Sequence, residues 1–347
     1  MARDFLAIPF DERSDEDRQR FLSSPDVLLS ICAQLREKRD LAPAAVETDA
    51  SDIYRWISRP NCDLGLFDER DYFLGETALL AGAGCRQLGK REEAFLWLDR
   101  AEAGFRHTMN PAPGLANVAY ARLALRFEMG RYQDVIELSP SLEASFTKLR
   151  MDLEAAKCRL LTAMTLKQVG EHSSAIRMLE EARSEVVLET DVFLRARILA
   201  ELGDLRQLEG QYDLALGAFR EALSQLQGKE VSPAIADLKL YVGGVYKALG
   251  SLAEARDAYR AAQRDYSSLG MRHLAARTHL VIAETLLEMR RDREAEWEIL
   301  VALPAIDDMR MLPEGFAAAA LLRESVVRRK TNVPALQQLQ TLLQANS

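Results

Sequence analysis

Residues 202–222 read LGDLRQLEGQYDLALGAFREA, and residues 242–262, forty positions later, read VGGVYKALGSLAEARDAYRAA. In both stretches a glycine separates two segments whose apolar residues recur every three to four positions, the spacing of an amphipathic helix. This glycine recurs along the chain at steps of 40 or 41 residues, and the next step falls on Arg290. The recurring positions are Gly89, Gly130, Gly170, Gly210 and Gly250. The pattern predicts a series of helical hairpins, each with its turn at the recurring position.

Small residues also recur at fixed distances from these turns. Five and twelve residues after the turn positions, ten of the twelve residues are alanine. Seven residues before the turns most side chains are small, and nine residues after them most are large. Examples are Gly203 with Phe219 and Gly243 with Tyr259. Because a small residue on one helix lets a large residue of the partner helix sit over it, we predict that Ala215 and Ala255 are fully buried at helix crossings.

A single hairpin leaves an apolar edge that only the next hairpin covers, so the hairpins are expected to stack. Aromatic residues make up only 7% of the chain, which is low for an all-β protein. Prolines are expected near hairpin junctions, outside helix interiors. The prolines predicted to lie at such junctions are Pro111, Pro113, Pro140, Pro233, Pro304 and Pro313. The predicted fold class is therefore all-α, a solenoid of six antiparallel helix hairpins.

The segment with Leu202, Gly203, Gly210, Tyr212 and Ala215, followed by Phe219 and Ala222, resembles a tetratricopeptide repeat (TPR). The resemblance covers residues 71–305, with a period of 40 in place of the usual 34 residues. Longer periods resemble the regulatory arms of some large bacterial transcription activators and the cargo-binding arm of kinesin light chains. The resemblance implies a right-handed superhelix whose concave groove binds a protein segment, and it implies no catalysis.

The predicted organisation has three parts. Residues 1–70 form an acidic arm and capping helices, residues 71–305 form the six hairpins, and residues 306–347 form C-terminal capping helices. The first part carries 15 acidic and 10 basic side chains, hence a charge of −5. Its acidic run from Asp11 to Asp17 is interpreted as a solvated arm or helix start, or alternatively as a docking tail for a partner. Helices are predicted over residues 25–39, 52–57, 313–329 and 334–344.

Composition and motifs exclude several functions. The net charge of −8 argues against nucleic-acid and membrane-surface partners. No apolar run is long enough to span a bilayer. The sequence contains no phosphate-binding loop, no His-Glu-x-x-His motif and no Gly-x-Ser-x-Gly motif, and Ala81 to Gly84 is interpreted as a site of close helix packing. We therefore expect no enzyme activity.

The spacing of the cysteines and histidines argues against a disulfide framework and a metal site. The four cysteines are widely spaced, which favours free thiols in a reducing cytoplasm. The four histidines are also separated in the sequence, so they form no motif with metal-ligand spacing. We therefore expect no metal and no cofactor.

In the TPR family the first helix of each hairpin lines the groove. The candidate groove residues are Tyr120, Phe127, Lys157, Met164, Lys167, Arg197, Asp204, Tyr241, Lys247 and Arg277. Tyr120 and Phe127 lie two helical turns apart on one stripe, where they could equally belong to the core. Aromatic anchors among scattered bases would suit a segment with apolar and acidic side chains. No terminal-carboxylate clamp of lysine and asparagine is expected, because neither residue occupies the inward positions.

Two functions follow from these predictions, and the oligomeric state stays open. The first is a non-enzymatic adaptor that binds a protein or peptide segment in the groove. The alternative is a regulatory sensor arm that binds a peptide or small ligand and controls a transcription or signalling partner. A ligand-dependent change of superhelical pitch would distinguish the sensor from the adaptor.

Overall fold

The structure, a computed structural model, describes residues 1–9, 12–38, 42–59, 67–183, 191–307, 336–337 and 340–341. These residues form helices and connecting turns, with no strand among them. The helices are α1 (Ala2–Ala7), α2 (Asp15–Leu22), α3 (Pro25–Lys38), α4 (Pro43–Ile57), α5 (Phe67–Gln87), α6 (Arg91–Arg106), α7 (Pro111–Glu128), α8 (Tyr132–Lys148), α9 (Asp152–Gln168), α10 (His172–Arg183), α11 (Val192–Leu208), α12 (Tyr212–Gln225), α13 (Pro233–Ala248), α14 (Leu252–Ser268), α15 (Arg272–Glu288) and α16 (Asp292–Asp307).

The turns lie where the repeat predicts them. All five recurring glycines have φ between 72° and 84°, in the left-handed region that favours glycine. The sixth turn uses Arg290 at φ 58°, and Arg150, between α8 and α9, has φ 57°. A left-handed backbone places the Cβ atom of an L-residue too close to its carbonyl oxygen. These two turns therefore carry a conformational cost that the glycine turns avoid.

The helix crossings also match the prediction. Ala215 and Ala255 are fully buried. A Cβ atom added to Gly203 would lie 2.6 Å from the Phe219 ring, and one added to Gly243 would lie 2.5 Å from the Tyr259 ring. In the second hairpin the sizes are exchanged, because Leu123 stands at the usually small position and Ser139 at the usually large one. Both are buried, so the crossing keeps one large side chain and one small one.

The chain divides into two compact units, unit 1 (Met1–Glu171) and unit 2 (His172–Ser347). In unit 1, α1 to α7 share one apolar core, and a second cluster joins α7, α8 and α9. Helix α3 matches the predicted helix over 25–39, whereas the predicted helix over 52–57 is the end of the longer α4. The acidic run leads into α2, where Ser14 and Asp17 form a reciprocal capping box.

Close packing between α4 and α5 explains the glycine pair in α5. A Cβ atom added to Gly84 would lie 2.9 Å from the backbone nitrogen of Glu47 and 2.9 Å from the carbonyl oxygen of Pro43. Added to Gly82, it would lie 3.3 Å from the Cβ atom of Trp97 on α6. The stretch from Ala81 to Gly84 thus packs closely on both neighbouring helices, as the sequence predicts.

In unit 2, α11 with α12, α13 with α14 and α15 with α16 form successive antiparallel hairpins with continuous apolar cores. Helices α9 and α10, the predicted third hairpin, fall in different units. Of the predicted C-terminal helices, 313–329 lies outside the described residues, and only four residues of 334–344 lie within them. One of these is Leu336, which is fully buried against the core of α14, α15 and α16.

Two prolines contradict the prediction that prolines avoid helix interiors. Pro140 lies inside α8, and Pro304 lies inside α16. Proline removes one backbone hydrogen bond and leaves the carbonyl four residues earlier without its partner. Both prolines are on exposed helix faces, where that carbonyl lies on the same side and can be hydrated. The helices therefore continue through them.

Candidate functional site

The first helices of the hairpins carry all the predicted groove residues, and five of them lie on α7 and α9 of unit 1. Tyr120 and Phe127 are on α7, while Lys157, Met164 and Lys167 are on α9, and all five are half-buried. Helix α7 contacts α9 directly. The structure thus places two aromatic rings, a thioether and two lysines on adjacent helices of one unit.

The two aromatic residues also belong to the packing of their own hairpin. The Tyr120 ring centroid lies 6.4 Å from that of Phe146 on α8, and the Phe127 ring lies 5.7 Å from that of Tyr132. Both rings pack against the apolar cluster of α7, α8 and α9. Each ring therefore keeps a solvent-facing part while the rest of it supports the hairpin. The packing part of this alternative is therefore observed, whereas a role of the two rings in a groove stays a prediction.

The charges near this surface differ in their partners. Arg86 on α5 forms an ion pair with Glu128 at the end of α7. Lys157, by contrast, has no carboxylate within ion-pair distance in the described part of the chain. A half-buried ammonium group without a carboxylate partner is a suitable contact for a carboxylate from outside the molecule.

The other five predicted residues lie in unit 2. Arg197 and Asp204 are on α11, Tyr241 and Lys247 on α13, and Arg277 on α15. Tyr241 is 40% exposed and stacks on Phe219, with ring centroids 5.5 Å apart and planes at 25°. Its outer ring face is therefore accessible while its inner face stabilises the hairpin of α11 and α12.

Lys247 is paired within the fold. Its Nζ atom lies 3.0 Å from a carboxylate oxygen of Glu284 and 3.1 Å from one of Glu288, both on α15. Glu284 also accepts a hydrogen bond from the side-chain amide of Gln337, at 3.2 Å. Lys247 thus joins two successive first helices, and binding an acidic partner there would first require breaking these pairs.

A half-buried carboxyl group near Arg277 was not among the residues predicted from the sequence. Asp237 on α13 accepts a hydrogen bond from the Tyr266 hydroxyl group. Burial raises the pKa of Asp237, while the Tyr266 hydrogen bond and Arg277 oppose the shift. Asp237 lies thirteen residues before its turn, as Arg197 and Arg277 do. That shared offset was the signal that could have identified it.

The two groups of predicted residues belong to different compact units. The structure brings together Tyr120, Phe127, Lys157, Met164 and Lys167 on α7 and α9, and it places the other five on α11, α13 and α15. A single groove that includes all ten residues stays a prediction.

The described cysteines are free and buried. They are Cys32, Cys85 and Cys158, while Cys62 lies outside the described residues. Burial raises the pKa of Cys85 to about 11 and that of Cys158 to about 12, so both stay protonated at neutral pH. Such thiols are poor nucleophiles and poor metal ligands.

One group of side chains has donor atoms close enough to be considered for a cation. Atoms of Glu47, Cys85 and Glu93 lie within 4.8 Å of one another in the described structure. Lys90 already pairs with Glu47, at 3.3 Å, and the Cys85 thiol is protonated. A cation would have to displace the lysine and the thiol proton together, so this arrangement favours the lysine.

No helix in the described ranges is both long and apolar enough to cross a membrane. No protein-family model and no curated protein sequence matches the chain. Its similarity to known proteins is therefore a similarity of structure.

Three solved structures share the fold over most of their length. The apo form of RapI has a TM-score of 0.66 and 11% identity, and the alignment covers 92% of this chain and 87% of that one. The Rap conjugation gene regulator of the plasmid pLS20, in complex with the Phr* peptide, has a TM-score of 0.56, 16% identity, and coverages of 99% and 92%. Aspartyl phosphate phosphatase F from Bacillus subtilis has a TM-score of 0.54, 12% identity, and coverages of 91% and 92%. At these identities the comparisons establish the fold alone, an all-α, TPR-like helical repeat.

Proposed function

We propose that this chain is a non-enzymatic adaptor that binds a segment of a partner protein on the first helices of its hairpins. The observation that carries the proposal is the surface of α7 and α9. Tyr120, Phe127 and Met164 offer apolar area on these two helices, which also carry Lys157, and Lys157 has no carboxylate partner among the described residues. Aromatic and thioether groups supply contact area, and the lysine adds a requirement for an acidic residue in the partner.

The fold comparison supports a peptide or protein ligand. A protein of the same fold was solved in complex with the Phr* peptide. Because helical repeats present extended surfaces of side chains from successive helices, they suit extended or helical segments.

Lys157→Glu tests the proposal with little risk to folding, because it changes a half-buried side chain outside the apolar core. Tagged protein is incubated with native lysate, and captured proteins are identified by mass spectrometry. Lys148→Glu, the same charge change at the exposed end of α8, is the matched control. We expect Lys157→Glu to lose partners that the wild type and Lys148→Glu both retain. Identical capture by all three proteins would contradict the proposal.

The alternative function, a regulatory sensor arm, is favoured by one specific observation. The peptide complex with this fold is described as a conjugation gene regulator. Small-angle scattering of the chain with and without a captured ligand distinguishes the two functions. A sensor is expected to change its radius of gyration on binding, whereas an adaptor is expected to keep it.

We further propose that the chain catalyses no reaction and binds no metal and no cofactor. We also propose that it is located in the cytoplasm and binds neither nucleic acid nor membrane. One protein of the same fold is named a phosphatase, so this part is supported by residues of this chain and not by the fold. The separated cysteines and histidines and the acidic charge support it. Stoichiometric metal in elemental analysis of purified protein would contradict it. The division at residues 70 and 305 is likewise a proposal, and limited proteolysis tests it.

A further inference from the structure

A second surface of unit 1 lies on α6, outside the first helices that form the proposed site. The Tyr54 ring of α4 meets the Trp97 ring of α6 edge-on, with centroids 5.2 Å apart and planes at 85°. The guanidinium carbon of Arg100 lies 4.4 Å from the Trp97 ring centroid and 5.9 Å from that of Tyr54. Two aromatic rings thus hold one exposed guanidinium group in place. We call Tyr54, Leu96, Trp97 and Arg100 the Arg100 surface.

Arg100 differs from the nearby arginines in its partners. Arg106 on the same helix pairs with Glu102, and Arg122 pairs with Asp99 at 2.6 Å and also with Glu102. Arg100 has no ion pair within the described ranges. The residues one helical turn from it, at positions 96, 97, 103 and 104, are leucine, tryptophan, alanine and glycine. No carboxylate of its own helix is therefore placed to neutralise it.

An exposed apolar side chain lies beside this cation. Leu96, one turn before Arg100, is 59% exposed. The position of Arg100, eleven residues after the turn glycine, holds no arginine in the other hairpins. Those residues are Ser141, Glu181, Glu221, Ala261 and Val301. The combination of a fixed guanidinium and an exposed leucine is thus particular to the first hairpin and is not required by the repeat.

We propose that the Arg100 surface binds an acidic segment of a partner protein, with a carboxylate on Arg100 and a neighbouring apolar side chain on Leu96. A guanidinium stacked on aromatic rings keeps its N–H edge available for a bidentate carboxylate. Stacking also restricts the side chain before binding, so less entropy is lost when the pair forms. A single arginine on a chain of charge −8 suits one carboxylate better than the dense charge of a nucleic acid.

The test uses a fluorescein-labelled 15-residue peptide of Glu, Leu and Ala, followed by fluorescence anisotropy with the full chain. A second peptide has Gln in place of every Glu. We expect Arg100→Ala to raise the Kd for the acidic peptide about tenfold or more, and Arg100→Lys to recover only part of the loss. Arg106→Ala, a change at an exposed arginine of the same helix, is expected to leave the Kd within about twofold of the wild type.

Every other outcome contradicts the proposal. Equal binding of the Gln peptide would show that the carboxylates are not recognised, and a lack of saturable binding by the wild type would show that the surface takes no such segment. Displacement of the peptide by oligo-dT would indicate a nucleic-acid site. If Tyr120→Ala/Phe127→Ala abolishes binding while Arg100→Ala does not, the peptide occupies the proposed adaptor site. Thermal melts of every variant confirm that it is folded.

Discussion

Adding one methyl group at Gly243 tests the helix crossing on which the hairpins depend. Gly243 lies on α13, and the ring of Tyr259 on α14 covers it so closely that an added Cβ atom would be 2.5 Å from two ring carbons. Non-bonded carbon atoms normally approach to about 3.5–4.0 Å. The Tyr259 ring would therefore have to move by about 1 Å in Gly243→Ala, although Tyr259 is only 4% exposed.

The expected free-energy change combines two opposing effects. Overpacking a filled crossing typically costs about 1–3 kcal/mol. Alanine in place of glycine in a helix interior contributes about 1 kcal/mol in the other direction. Since the overlap with the Tyr259 ring is severe, we expect Gly243→Ala to lower the free energy of unfolding by about 1–2 kcal/mol. For a unit of this size the melting temperature falls by about 2–4 °C per kcal/mol.

Gly217 provides a matched control in the same unit. It lies inside α12, and apart from its chain neighbours and the backbone of its own helix no atom of the described structure is within 4 Å of the position its Cβ would take. Gly217→Ala therefore gains helix propensity without a clash, and we expect it to raise stability by about 0.5–1 kcal/mol. Urea unfolding followed by circular dichroism compares the two variants with the wild type.

A double-mutant cycle makes the reasoning refutable. In a Tyr259→Ala background the ring is gone, so Gly243→Ala should become neutral or stabilising there. If Gly243→Ala is as stabilising as Gly217→Ala in the wild-type background, the crossing is not packed as the structure has it. The same conclusion follows if its cost persists unchanged without the Tyr259 ring.

Three further predictions concern backbone strain, the half-buried Asp237 and the thiols. Arg290→Gly and Arg150→Gly should each raise the free energy of unfolding by about 0.5–1 kcal/mol, because glycine adopts positive φ without strain; unchanged urea midpoints would contradict this. The folded-state pKa of Asp237 is raised, so its stabilising contribution is complete below 3.8 and is lost as pH rises through the folded value. The melting temperature of Asp237→Asn, relative to wild type, should therefore increase between pH 3.8 and neutrality. Cys85 and Cys158 should react with a thiol reagent only after unfolding, as mass-spectrometric mapping would show, and labelling in the native protein would oppose the burial argument.

Much of the fold could be predicted because its main constraints leave a direct mark on the sequence. A turn at positive φ selects glycine, as at Gly210, and a crossing under a large side chain selects a small residue, as at Gly203. Arg150 satisfies the same turn geometry without the favoured residue, so no sequence signal marks it. Pro140 misleads in the opposite direction. Proline predicts a helix end, but α8 continues through Pro140 because the residue lies on an exposed face of the helix.

The candidate site was harder to predict because many basic side chains form ion pairs with carboxylates of a neighbouring hairpin, and such pairs are not evident from one repeat alone. Arg36 pairs with Glu76 at 2.6 Å, and Lys247 pairs with Glu284 and Glu288. Partners in these pairs are 37 to 41 residues apart, about one repeat. The Lys247 pairs join the first helices of successive hairpins, and the Arg36 pair joins α3 to α5.

A list of basic residues on these helices cannot tell which of them are already neutralised. Residues one repeat apart have to be compared in pairs, since stacking brings them together. Bases such as Arg86 and Lys247 thus join neighbouring hairpins, whereas Lys157 has no ion pair in the described part of the chain. The same reasoning applies to Arg100, whose own helix offers no carboxylate. In an acidic chain with many possible partners, the bases that stay unpaired identify the surfaces where an acidic ligand adds a favourable contact without breaking an existing one.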